Sequence, residues 1–169
     1  MQDSELPGTE GTEAAEAAAK RIEVQKIYVK DISYEAPGTP QVFTEQWAPK
    51  VSQEMANSHV QLSDSVYEAI LTITITVSIG DKVAYLAELK QAGIFNIIAH
   101  PPEGIEKALA VFCPTLLFPY AREAISDLSG RGGFPSLILQ HINFNAMYHD
   151  YLKKKEAAQV KDGGDFISH

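Results

Sequence analysis

Few side chains in this 169-residue chain are of the kinds that do covalent chemistry, and they are not spaced to do it. Cys113 is the one thiol. A nucleophilic thiol needs a neighbouring base and a lowered pKa. Cys113 lies instead between Phe112 and Pro114, the apolar setting of an inert core cysteine. The histidines, His59, His100, His141, His149 and His169, form no His-x-x-x-His pair and no Glu–His ligand motif on a helix. Local spacing therefore gives no metal site, and only one assembled from distant positions stays open. Gly130-Arg-Gly-Gly133 has the glycines of a phosphate loop, but it follows a predicted helix and leads into Phe134-Pro135. A phosphate loop follows a strand and opens a helix, so this run reads as a helix stop and a turn.

The remaining candidates suit non-covalent binding. Phe144, Met147, Tyr148, Tyr151 and Leu152 recur at i, i+3, i+4, i+7 and i+8, one face of a helix. Such stripes are usually core. Two features point elsewhere: the stripe holds many large residues, and Trp47 lies in a proline-rich connection that needs a surface to rest on. A groove between that connection and the helix would be concave, apolar and aromatic, as a peptide site requires. Leu86 beside Glu88 suggests a second contact patch, although Asp31, Glu68 and Glu88 also read simply as a solvated face.

These residues need elements to hold them. From Tyr67 to Ile79 every odd position is apolar, and the even positions are mostly polar, with Ile70 the exception. That is a half-buried antiparallel strand with one wet face. Gly80-Asp81 turns the chain, and Val83 to Ile94 returns as its partner. In that register Tyr85, Ala87, Leu89 and Gln91 point inward, while Leu86, Glu88 and Lys90 point to the open face. Residues 23–34, rich in Val, Ile and Tyr, read as a strand. Residues 35–65 hold Pro37, Pro40 and Pro49 and read as a long, ordered, irregular connection. Pro101-Pro102 precedes a helix from Glu103 to about Ser129, broken at Cys113-Pro114. Residues 137–142 read as a fourth strand, and Asn143 as the N-cap of a last helix to about residue 158.

The net charge of −8 and pI near 5.1 argue against nucleic acid and against an anionic membrane surface, and favour a basic partner. A lone cysteine allows no intrachain disulfide. The acidic N-terminus, with Asp3, Glu5, Glu10, Glu13 and Glu16, is no secretory signal. Uninterrupted apolar runs fall short of the roughly 18 residues of a membrane span. These features predict a cytoplasmic protein without direct membrane insertion. Residues 1–21 are expected to form a disordered acidic extension, 22–158 the folded domain and 159–169 a flexible tail.

Three separated stretches fix a family resemblance: Ile27-Tyr-Val-Lys-Asp-Ile-Ser-Tyr-Glu-Ala-Pro37, Cys113-Pro-Thr-Leu-Leu-Phe-Pro-Tyr-Ala-Arg-Glu123 and Arg131-Gly-Gly-Phe-Pro135. In that order they resemble SecB, the bacterial export chaperone family, from about Val24 to Leu152. The resemblance implies an α+β fold: a four-stranded antiparallel sheet with two helices on one side, assembling as a dimer of dimers. It implies an ATP-independent holdase, not an enzyme, that uses no cofactor or metal. Such a protein binds unfolded secretory preproteins and delivers them to the SecA motor. Carried over position by position, the client groove takes Phe43, Trp47, Val51, Phe144, Tyr148 and Leu152. The patch for the zinc-binding C-terminal tail of SecA takes Asp31, Glu35, Leu86 and Glu88. Ala87, Leu89 and Gln91 match positions that affect the oligomer interface. The alternatives are a single-partner adaptor, a SecB-like chaperone of a toxin–antitoxin system and, remotely, an enzyme using Cys113.

Overall fold

The computed structural model describes residues 19–162. The expected N-terminal extension, up to residue 18, and the tail beyond residue 162 lie outside the described residues. Four strands, β1 (Arg21–Glu35), β2 (Lys50–Gln61), β3 (Val66–Ile79) and β4 (Lys82–Ile98), form one antiparallel sheet in the order β1-β4-β3-β2. The period-2 pattern of β3 decides which face is covered. Ala69, Leu71, Ile73, Ile75 and Val77 are buried beneath the helices, and the alternate threonines are only half-buried on the open face. β4 returns through Gly80, whose φ of +57° is the left-handed conformation the tight turn needs. Tyr85, Ala87, Leu89 and Gln91 face the helices, and Leu86, Glu88 and Lys90 the open side, as the pattern predicts.

Two expectations about strands require correction. The fourth strand is β2, inside the stretch expected to be irregular, and residues 137–142 form no strand. β2 is an edge strand whose residues are all exposed except the half-buried Met55, so burial imposes no alternation on its sequence. Residues 137–142 are apolar for another reason: Leu139 is buried in the core, and Leu137 and Ile142 pack against it.

The helical layer begins with α1 (Pro102–Lys107), passes through a π segment (Ala108–Phe112) and continues as α2 (Cys113–Arg131). The predicted break at Cys113-Pro114 is thus a π segment within one continuous helix. The wider turn accommodates a proline that lacks an N–H for the α ladder. Pro102–Arg131 is long and apolar enough, by length and composition, to cross a membrane, which the search for unbroken apolar runs missed. It is a core helix: Cys113, Leu117, Ala121 and Ile125 are buried in the same cluster as β3 and β4. Asn143 caps the last helix, α3 (Phe144–Asp162), its Oδ1 accepting from the Ala146 N–H at 3.0 Å. The helix runs past the expected limit at residue 158.

Candidate functional site: an aromatic groove and an open sheet face

Two of the three stretches, those holding Tyr34 and Arg131–Pro135, meet just past the C-terminal end of α2. Gly132 lies so close to Tyr34 that a Cβ would fall 1.8 Å from the Tyr34 hydroxyl, so only glycine fits. Gly133 holds a φ of +83°, and a Cβ there would meet the Phe43 ring at 3.2 Å. The turn they make delivers Phe134 into an aromatic cluster. Its ring centroid lies 5.0 Å from Phe43, 5.4 Å from Trp47 and 4.8 Å from Tyr85. Phe134 is buried, Trp47 half-buried, and Phe43 stays 51% exposed. The connection that carries Trp47 does rest on a surface, and Phe134 is the centre of it.

A second apolar hollow, of about 290 Å³, lies farther along β2, at Met55 and Asn57. Met55 and Asn57 of β2, Ala110 of the π segment, and Phe144, Met147, Tyr148 and Tyr151 of α3 are among its walls. Asn57 Nδ2 donates to the Leu109 carbonyl at 3.0 Å, tying the strand to the π segment. Met147 and Tyr151 are half exposed, and only Phe144 of the stripe is buried. Beyond Phe144, the stripe on α3 is therefore not core.

Of the predicted groove residues, Phe43 and Trp47 gather at Phe134, while Phe144 and Tyr148 line the hollow. Leu152 is half-buried one helical turn beyond Tyr148 and is not among the lining residues. The two groups do not touch; β2 connects them. Val51, Gln53, Met55 and Asn57 stand opposite Val77, Ile75, Ile73 and Leu71, so they share the helix-facing side of the sheet. Val51 and Gln53 stay exposed, while Met55 and Asn57 reach the helical layer at the π segment. From Val51 to Met55 the strip spans about 13 Å. Val51 and Met55 are the apolar members of this strip between the aromatic cluster and the α3 hollow, with Gln53 between them and Asn57 beyond. Sequence reasoning missed Phe134, Met55 and Asn57. The glycines before Phe134 were a usable signal, since they mark a close backbone approach; β2 offered none.

The open face of the sheet carries the second site. Asp31 pairs with Lys90, Glu35 with Leu86, and Ser33 with Glu88. A shallow depression of about 190 Å³ is lined by Ser33, Glu35, Thr74, Leu86, Ala87 and Glu88. Three of the four predicted docking residues thus share one hollow, with Asp31 two positions along the same face of β1. The fold offers a basic partner two carboxylates around one apolar side chain. Glu68 corrects the expectation of a solvated acid. It is only 8% exposed, meets Lys30 Nζ at 2.8 Å through both oxygens and accepts from the Tyr28 hydroxyl. The bond from Lys30, and then that from Tyr28, hold its carboxyl below the usual range. Burial, and then the Glu68 carboxylate, push the Tyr28 phenol up to about 12.

Ala87, Leu89 and Gln91 are 2%, 0% and 3% exposed within the chain itself. They cannot be contact residues of an interface, and can reach assembly only through the helices they support. Cys113 is fully buried, and burial pushes its thiol up to about 12, the reverse of a nucleophile's need. Among the described residues no cluster of three His, Cys, Asp or Glu side chains could hold a metal ion.

Exposed apolar side chains at both ends of β2, and carboxylates on the opposite face of the sheet, are surfaces on which non-covalent binding can be built. The family model described as preprotein translocase subunit SecB matches residues 15–155. A protein-export protein SecB from Marinobacter nauticus is 46% identical over 146 residues, covering 86% of this chain and 88% of the relative. One from Methylococcus capsulatus is 47% identical over 129 residues, covering 76% and 83%. The chain belongs to the SecB family of protein-export chaperones. A SecB-like chaperone of Mycobacterium tuberculosis, solved with a ChAD peptide from the HigA1 antitoxin, has the same fold. It superposes with a TM-score of 0.61 at 18% identity, over 73% of this chain and 91% of that one.

Proposed function

We propose that this chain is an ATP-independent holdase of the Sec pathway. It binds unfolded secretory preproteins in the cytosol, keeps them competent for translocation and delivers them to SecA. The observation that carries this reading is the pair of apolar surfaces along β2: Phe43 and Trp47 on Phe134 at one end, and Met147, Tyr148 and Tyr151 in the α3 hollow at the other. Each apolar client side chain buried there contributes about 1.5–3 kcal/mol. One such contact is weak, but a long unfolded chain meets several grooves at once when the chaperone is a dimer of dimers. Holding the unfolded state then draws clients away from folding by mass action. The acidic open face, with Asp31, Glu35, Leu86 and Glu88, is suited to the zinc-binding, basic tail of SecA. Client and motor would thus engage opposite faces and need not compete. The relatives of high identity are named for protein export, which favours this reading over a toxin–antitoxin role.

The groove reading is tested by calorimetry with a reduced, unfolded client. Tyr148→Ala, which removes a half-exposed ring and little core, is expected to weaken binding by a kcal/mol or more. Unchanged affinity would remove the α3 hollow from the site.

A further inference from the structure

β1 is not a regular strand. Val29 pairs with Gln91 and Asp31 with Lys90, so Lys30 is an extra residue with no partner on β4, a β-bulge. This bulge is held from both faces of the sheet. On the open side, Glu68 of β3 bonds Lys30 Nζ at 2.8 Å through each oxygen and accepts from the hydroxyl of Tyr28, two residues before it. On the helix side, the amide of buried Gln91 donates to the Tyr28 carbonyl at 3.1 Å. A carboxylate and an amide, both nearly excluded from water, are thus spent on one irregularity at an edge strand.

The consequence lies downstream. The period of a strand is two, so adding or removing one residue exchanges its faces. With the bulge in place, Val29 and Ile32 face the helices, while Asp31, Ser33 and Glu35 face the open side against Lys90, Glu88 and Leu86. Without it, the residues beyond Val29 would slide by one. Asp31 and Glu35 would turn towards the helical layer, and Ile32 and Tyr34 to the open face.

We propose that Lys30, Glu68, Tyr28 and Gln91 are positioning residues for the acidic docking surface: they lock the bulge that places Asp31 and Glu35 beside Leu86 and Glu88. The proposal rests on the docking role given above to that face. It also assigns Gln91 a task distinct from the oligomer.

The test uses the full chain and, as probe, a zinc-loaded peptide with the sequence of the C-terminal tail of SecA. Lys30→Met and Glu68→Gln are each expected to weaken peptide binding about tenfold or more. Both should still arrest refolding of a denatured precursor as the parent protein does, since neither residue lines the groove. Lys30→Arg, which retains a cation for Glu68, is expected to keep peptide binding near the parent value. Cross-strand proton contacts between Asp31 and Lys90 read the register directly and should be lost or doubled in Glu68→Gln. Parent-like peptide affinity in Lys30→Met and Glu68→Gln, with Glu88→Lys losing it, would overturn the proposal and leave the docking reading standing. If Glu88→Lys also binds normally, the docking reading falls and this proposal with it. An unchanged Asp31–Lys90 pairing in Glu68→Gln would overturn the lock whatever the peptide does. Should Lys30→Met fail to fold, Lys30→Met combined with Glu68→Leu removes both charges together and leaves no buried ion unpaired.

Discussion

At the scale of single residues, the aromatic end of the groove depends on Phe134 more than on the residues that border it. Its ring touches Phe43, Trp47 and Tyr85, so Phe134→Ala leaves a cavity and unsupported rings. The expected cost is about 3–5 kcal/mol in denaturant unfolding, together with weaker client binding. Tyr34 makes the opposite case. Its hydroxyl is buried without a hydrogen-bond partner, so Tyr34→Phe is expected to leave stability unchanged or raise it by up to about 1 kcal/mol in the same assay. Glu68 predicts a dependence on acid. Its folded pKa lies below the unfolded value, so its contribution is present above the unfolded carboxyl pKa and lost as pH falls through the folded one. Urea midpoints measured down the acid limb should fall less steeply in Glu68→Gln than in the parent.

At the scale of elements, what could be read from the sequence followed burial. β3 and β4 lie in the middle of the sheet with one face covered, so packing forced a period of two on Tyr67 to Ile79 and fixed its faces to the residue. The faces of Glu88 and Ala87 were legible for that reason. β2 escaped because an uncovered edge strand carries no such constraint, and the apolar stretch 137–142 was mistaken for a strand because core burial does not require a ladder. Read from the residues alone, the number of strands was right and the place of one was wrong. The α3 stripe had two readings from its spacing, and only the exposure of Met147 and Tyr151 separates them. Asn57 is the bond between β2 and the helical layer that no pattern signalled. Asn57→Ala is expected to cost about 1 kcal/mol, leaving the Leu109 carbonyl without that donor. Its effect on hydrogen exchange should concentrate on β2 and the π segment, and uniform loss of protection would contradict that local role.

At the scale of the whole molecule, the sheet has one face under the helical layer and one open face. The apolar surfaces of the proposed groove lie along β2 at one edge of the sheet. On the opposite side of the sheet, Asp31, Glu35 and Glu88 occupy the half built from β1 and β4. An overall charge of −8 sets no general basic field against these carboxylates, so under the docking reading a basic tail would be drawn to them from a distance. Val24, Val29 and Ile32 remain exposed along β1 on the helix side, unusual for an isolated edge strand and consistent with a second copy extending the sheet there. Light scattering is expected to give four times 18.5 kDa, and a stable mass of one chain would contradict the dimer of dimers. The central claim, capture of unfolded chains, is tested most directly by refolding a denatured, slow-folding precursor with and without this protein and without ATP. The account predicts that refolding stops stoichiometrically, near one tetramer per client; refolding at the same rate and yield in its presence would contradict it.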